Sequence, residues 1–242
     1  EQYETVLKNH YTYITKNGAD PVEIEQWQWN GIVPVTDVPR GLDHEYVLKN
    51  ARTIAFIGLS DNPERHSHIV AKYFQKKGYR IIPINPRVKE VLGETSYKSL
   101  SAVPKDIHID IVDICVPNNL HCEIAVKAAQ AKKHILCEKP LARNAEEAKT
   151  MFEAVKKAGV KNMVAYNYRR TPAIVYAKQL IEEGKIGKIL NFRATYLQSW
   201  SASPLSPLSW RFQKNIAGAG TLGDIGTHII DLARYLVGDI TK

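Results

Sequence analysis

Residues 109–140 read IDIVDICVPNNLHCEIAVKAAQAKKHILCEKP. The first nine are apolar nearly throughout, as a strand covered on both faces must be. NLHCEIAVKAAQAKK then reads as a helix and HILCEKP as a second strand. A strand, a crossover helix and another strand imply parallel pairing with a right-handed connection.

The same alternation extends both ways. Upstream, EYVLKNA reads as a short helix and TIAFIGLS as a compact buried strand. SHIVAKYFQKKG places Ile69, Val70, Tyr73 and Phe74 on one helical face and stops at Gly78. YRIIPINP follows as a strand. Downstream, NAEEAKTMFEAVKKAG is a helix with Asn144 as N-cap and Gly159 at its end, and KNMVAYNY is a fifth strand. The expected fold is α/β: a doubly wound, parallel, Rossmann-like sheet over residues 44–168, covered on both faces.

Ligands of such sheets bind outside the carboxyl ends of the strands. Here those ends carry Gly58-Leu59-Ser60, Asn85-Pro86, Val116-Pro117-Asn118 and Glu138-Lys139-Pro140. An incomplete α+β second domain is expected over 169–242. It holds a helix ending at Gly184 (PAIVYAKQLIEEG), a partly alternating strand (KILNFRATYLQSW), a loop (SASPLSPLSW) and a helix ending at Gly238 (IGTHIIDLARYLVG). Residues 1–43 read as a short helix and an extended, proline-containing arm with Trp27 and Trp29, and they receive no function.

The chain has 242 residues, 44% of them hydrophobic and 24% charged, an ordinary globular composition that can bury a sizeable core. The formal net charge of +8 suits anionic ligands. The basic residues are scattered and no nucleic-acid motif accompanies them, so no nucleic acid is expected as partner. No apolar stretch is long enough to span a bilayer and the N-terminus lacks a signal peptide's apolar region, so no membrane association and a cytoplasmic location are expected. Cys115, Cys122 and Cys137 are odd in number and form no C-x-x-C pair, which favours free thiols in a reducing compartment and no metal site.

Alcohol oxidation needs a base for the hydroxyl proton and a hydride acceptor near the same carbon. Asp224 and His228 lie four apart on a predicted helix and so share a face. His228 titrates near neutrality and can take a proton. Lys139, at a strand's carboxyl end, would stabilise a developing alkoxide. Asp231 and Arg234, on the same helix, read as a solvated pair of little energetic weight. The loop after the first strand, GLSDNPER, lacks the G-x-G-x-x-G dinucleotide fingerprint. It offers Gly58, the Ser60 hydroxyl, the Arg65 charge and the start of a helix to a phosphate. Arg87, past the second strand beside Asn85, is placed to accept a 2′-phosphate, and no acidic residue stands at that strand end.

Two resemblances lie along the chain. Over about 47–114, Gly58, Ser60, Pro63, Arg65, Ser67 and Pro83-Ile84-Asn85-Pro86 match the turn and strand end of stand-alone CoA-binding Rossmann domains. This implies a nucleotide-like ligand with phosphates at Ser60 and Arg65. From about Asp110 to residue 240, the chain resembles the Gfo/Idh/MocA oxidoreductases. The resemblance rests on Pro117-Asn118, His121, Glu138-Lys139-Pro140, AYNYRRTPA, GKIGKI, SWRF and AGAGTLGDIGTHIIDLARYLVG. It implies an NAD- or NADP-dependent dehydrogenase of a sugar, inositol or other polyol, with Lys139, Asp224 and His228 as the catalytic group. Pro117, Asn118, His121, Glu138 and Arg211 would lie near the cofactor, and Asn167, Tyr168 and Arg169 near the substrate. In that family the Asp/His helix is followed by more strands of a large sheet. Against that pattern the chain reads as a truncated or mosaic member, with an open sheet edge for a homo-oligomer. The alternative reading is a non-catalytic module binding CoA or another nucleotide.

Overall fold

The computed structural model describes residues 47 to 240, residue 48 excepted. The short helix and the arm with Trp27 and Trp29 expected before residue 44 fall outside them, as do residues 45, 46 and 48 of EYVLKNA. Strands are β1 (Thr53–Ile57), β2 (Arg80–Ile84), β3 (Glu90–Val91), β4 (Glu94–Thr95), β5 (Ile111–Ile114), β6 (His134–Cys137) and β7 (Asn162–Val164). Helices are α1 (His66–Lys76), α2 (His121–Gln130), α3 (Ala145–Ala158), α4 (Pro172–Glu182), α5 (Lys214–Ala217) and α6 (Thr227–Leu236).

The described chain forms two compact units. One comprises residues 47–165 and 198–227; the other comprises 166–197 and 228–240. In the first, five parallel strands run in the order β2-β1-β5-β6-β7. This is the Rossmann-like sheet that the apolar strand runs led us to expect. The register pairs Ile54 with both Ile81 and Ile111, and Ile111 with His134. Strand alternation gives the sheet two apolar faces. One packs Ala55, Ile82, Val112, Ile114 and Ile135 onto Ala125 and Ala128 of α2 and Met151 and Val155 of α3. The small alanines let α2 lie close to the strands.

The helix ends follow local chemistry. Asn144 caps α3 by accepting from the Glu147 N–H, and Gly159 closes it in the left-handed conformation. Between β2 and β5 the chain makes a small hairpin, β3–β4, that the sequence reading missed. Its turn residues Leu92 and Gly93 both have positive φ, the signature of a type I′ turn.

In the second unit, α4 begins with Pro172 at its first turn and closes at Gly184. The expected strand over 188–200 does not form; residues 189–199 are irregular. A strand is held by a hydrogen-bonded neighbour, and among the described residues none pairs with it. Leu190 and Leu197 are exposed there.

Candidate active site at the carboxyl ends of the strands

β1 ends in a turn whose first residue must be glycine. Gly58 has φ +90, and a Cβ there would lie 2.4 Å from the Cys115 carbonyl oxygen, so β1 and β5 approach too closely for any side chain. The rest of the turn is capped by its own side chains. Ser67 Oγ accepts from Ser60 N–H, Ser60 Oγ from Asn62 N–H and Asn62 Oδ1 from Glu64 N–H. A glycine-rich loop would leave such amides to a phosphate. Here the anion-facing groups are the exposed Arg65 and the first turn of α1, where Arg65 is an N-cap without a side-chain bond. Asn85 is committed to this scaffold: its amide donates to Leu59 O and its Oδ1 accepts from Arg87 N–H. Arg87 itself is exposed.

The ends of β5 and β6 carry the rest. Asn118, 4% exposed, donates to Ala217 O. Pro117 precedes it at the start of a short 3-10 turn. His121, fully buried at the first position of α2, has Nδ1 3.0 Å from Pro140 O and Nε2 2.9 Å from Val116 O. Its ring is thus engaged with backbone rather than turned towards a ligand. Burial draws its pKa below the usual histidine value, against the bonds to the Val116 and Pro140 carbonyls and the Glu147 charge.

Lys139 and Asp224 come together. Lys139 Nζ donates to Asp224 Oδ1 and to Asp224 O, each at 2.8 Å. The Lys139-Pro140 bond is cis. Arg211 Nε lies 3.5 Å from Asp224 Oδ2, so one carboxylate sits between two cations. The Arg211 guanidinium is also 4.7 Å from the Trp210 ring centroid and 6.0 Å from that of Trp200, a cation–π arrangement. The sequence reading missed both tryptophans, although Trp210 stands beside Arg211 in the quoted SWRF. Asp224 lies in a π-helical turn, Leu222–Gly226, that runs into α6. Such turns recur at functional sites because the extra residue re-aims side chains.

Behind Lys139 is a buried acid cluster. Burial, with the Glu138 charge, pushes the Asp113 carboxyl up to about 8. The Cys115 thiol donates to Asp113 Oδ1 at 3.5 Å and is itself pushed well up by burial. Burial also raises Glu138, against the pull of Lys139 and Arg211. Asp113 was unexpected, because it looks like one polar residue in an apolar run. All three cysteines are free thiols, and among the described residues no acidic, cysteine and histidine cluster fits a metal ion.

In the second unit His228, 4% exposed, stacks on Tyr168 with ring centroids 4.1 Å apart and planes at 20°. Tyr166 and Tyr196 meet it edge-on at 6.0 and 6.1 Å. The Tyr168 and Tyr196 hydroxyls share a hydrogen bond. Arg169 is held by a two-point ion pair to Asp231 and lies over Tyr235. Asp231 therefore pairs with Arg169, and Arg234 pairs with Asp239 rather than with the expected Asp231. Asn167 sits at the start of the 3-10 turn that carries Tyr168 and Arg169.

Comparison with known proteins gives two family matches: a CoA binding domain over residues 52–165 and a GFO/IDH/MocA C-terminal domain over 174–242. Levoglucosan dehydrogenase of Pseudarthrobacter phenanthrenivorans is 62% identical over 148 residues, 61% of this chain and 38% of that protein. Myo-inositol 2-dehydrogenase of Thermotoga maritima is 35% identical over 153 residues, 63% of this chain and 43% of that protein. 2,7-anhydro-N-acetylneuraminate hydratase of Escherichia coli is 37% identical over 144 residues, 60% of this chain and 38% of that protein. Among solved structures, levoglucosan dehydrogenase in complex with NADH and levoglucosan superposes with a TM-score of 0.70 at 46% identity. The match covers 79% of this chain and 55% of that one. The chain spans less than half the length of these curated relatives.

Proposed function

We propose that this chain, related in sequence and structure to the Gfo/Idh/MocA oxidoreductases, supplies the cofactor-binding sheet and the proton-handling residues of an NAD(P)-dependent dehydrogenase. Its substrate would be a secondary hydroxyl of a sugar, anhydrosugar or inositol. The observation that carries this reading is the Lys139–Asp224 ion pair at the carboxyl ends of the parallel strands.

The cofactor, when bound, supplies the hydride acceptor. Arg65, the start of α1 and Arg87 are the groups for its phosphates, and Arg87 with no acid at that strand end favours a 2′-phosphate. Glu138 and Asn118 line the strand ends beside it. Lys139 directs its ammonium at the reacting oxygen and stabilises the negative charge that grows as the proton leaves. Asp224, held by Lys139 and Arg211, keeps that ammonium in place. His228 is the residue that the family resemblance assigns to receive the hydroxyl proton, and Tyr168 stacks on its ring. Two protons and two electrons leave the alcohol in total: a hydride from carbon and a proton from oxygen.

The test is to follow nicotinamide reduction with NAD and NADP against levoglucosan, myo-inositol and glucose, with CoA, NAD and NADP compared in thermal melts. Binding to the folded state alone raises the midpoint. Turnover that falls by about 100-fold or more in Lys139→Met supports the reading. A midpoint shift with CoA alone, without turnover, would replace it with the nucleotide-binding module. The match to a CoA binding domain over 52–165 favours that second reading.

A further inference from the structure

His121 is the most completely buried polar side chain of the sheet unit, and its two ring nitrogens face carbonyls of two different loops. One, Val116 O, leads into Pro117-Asn118 at the end of β5. The other, Pro140 O, follows Lys139 directly at the end of β6. The imidazole itself is the first residue of α2, so its backbone is anchored by the helix. A small rigid ring thus bridges three elements where the strand ends must keep a fixed spacing.

Pro140 is the point through which this bridge reaches the charged pair. A Cβ built on Gly223 would lie 3.8 Å from Pro140 Cγ, so the residue before Asp224 lies close to the proline that follows Lys139. Pro140 is thus a neighbour of both partners: it is peptide-bonded to Lys139 and lies close to the residue before Asp224. The neighbouring loop is tied in the same direction. Arg143 donates from its guanidinium to Asn215 O, and Asn118 donates to Ala217 O. A Cβ on Gly218 would lie 2.7 Å from Arg143 O, so that approach is as tight as backbone allows.

We propose that His121 is a positioning residue: by holding Pro140 against the end of β5 it sets the Lys139 ammonium on the Asp224 carboxylate. This rests on the dehydrogenase reading only for its effect on turnover; the effect on Lys139 is independent of it. Carbonyls only accept, so a neutral ring, with one N–H, donates to one of them at a time while its other nitrogen faces the second carbonyl at about the same distance. Replacing the ring removes the donor that the two carbonyls share, and the loops move to find another.

The experiment compares the chain with His121→Asn and His121→Phe. Asn keeps one donor; Phe keeps the volume and none. Lys139 reactivity is read by trace acetylation with acetic anhydride and peptide mass spectrometry, with Asp224→Asn as the reference for an unpaired lysine. The ion pair protects the amine. We expect Lys139 to label faster in both variants, moving by about threefold or more towards the reference, while other lysines keep their rates. Where the chain turns over, kcat should fall by about tenfold or more with cofactor KM little changed. A folded variant of either kind with a lower melting temperature but wild-type Lys139 labelling overturns the proposal and leaves His121 as packing alone. Absence of turnover in the unsubstituted chain would remove the dehydrogenase reading and leave the labelling result to decide His121.

Discussion

Asp113 shows how a single residue escapes a reading of pattern. In sequence it interrupts the apolar run IDIVDIC, and nothing in the spacing says whether it faces water. In the structure it is 3% exposed beside Glu138 and Cys115, and its carboxyl keeps its proton up to about pH 8. An unfolded aspartate titrates near about 4. The folded value is the higher one, so this group's contribution to stability is full below about pH 4. It declines by about 1.4 kcal/mol per pH unit as pH rises towards 8 and is level above that. Asp113→Asn removes that slope. Thermal melts between about pH 4 and 9 should show the variant gaining on the parent chain steadily as pH rises. Parallel curves would mean that Asp113 ionises normally. Gly58 is the contrasting case, because the sequence marked it as a ligand-loop glycine and the structure gives the steric reason. Gly58→Ala meets both a positive φ and the Cys115 carbonyl, and should cost about 2–4 kcal/mol in chemical denaturation. A loss under about 0.5 kcal/mol, the size of an ordinary surface change, would show that the turn relaxes freely. Lys139 and Asp224 were legible from residue type and place at a strand end and on a helix. The tryptophans beside Arg211 and, around His228, Tyr166 and Tyr196 were not, because aromatic residues scattered along the chain announce no common destination.

At the scale of elements, the helices were read best where both ends carried chemical signals. α3 was expected from Asn144 to Gly159 and forms between those residues. Its start is a reciprocal cap. Asn144 accepts from Glu147 N–H, and Glu147 accepts from Arg143 N–H and the Arg143 guanidinium. Asn144→Ala should cost about 1 kcal/mol of unfolding free energy, while Asn144→Asp should stay near neutral. Equal losses from both would place the cost elsewhere than in the cap. This helix packs on the sheet with α2, so the loss should appear in the global transition. The strand over 188–200 was misread for a physical reason. Alternation reports which face a strand would bury, but a ladder needs a partner, and sequence alternation carries no information about that partner. The β3–β4 hairpin was missed for the opposite reason: two-residue strands are too short to show alternation, and Leu92 is an unusual residue for positive φ.

At the scale of the molecule, the sheet was legible because strand burial on two faces forces apolar runs, and such runs admit few arrangements once connections are right-handed. The side of the sheet that carries the charged residues followed from topology as well. What composition could not convey is how much apolar surface stays open. Leu190 and Leu197 are 86% and 85% exposed in the irregular segment of the second unit, and Ile186 is 60% exposed nearby. Exposed apolar side chains of this size associate in water where they gather into a patch. The chain should therefore self-associate through this segment as its concentration rises. Sedimentation velocity over a concentration series reads this directly. Leu190→Lys combined with Leu197→Glu should shift the distribution towards the slower species at every concentration, and leave the Lys139 labelling rate of the sheet unit as it was. Unchanged distributions would assign any association to another surface, with Leu205 and Leu208, 91% and 77% exposed in the loop of the first unit, the next to replace.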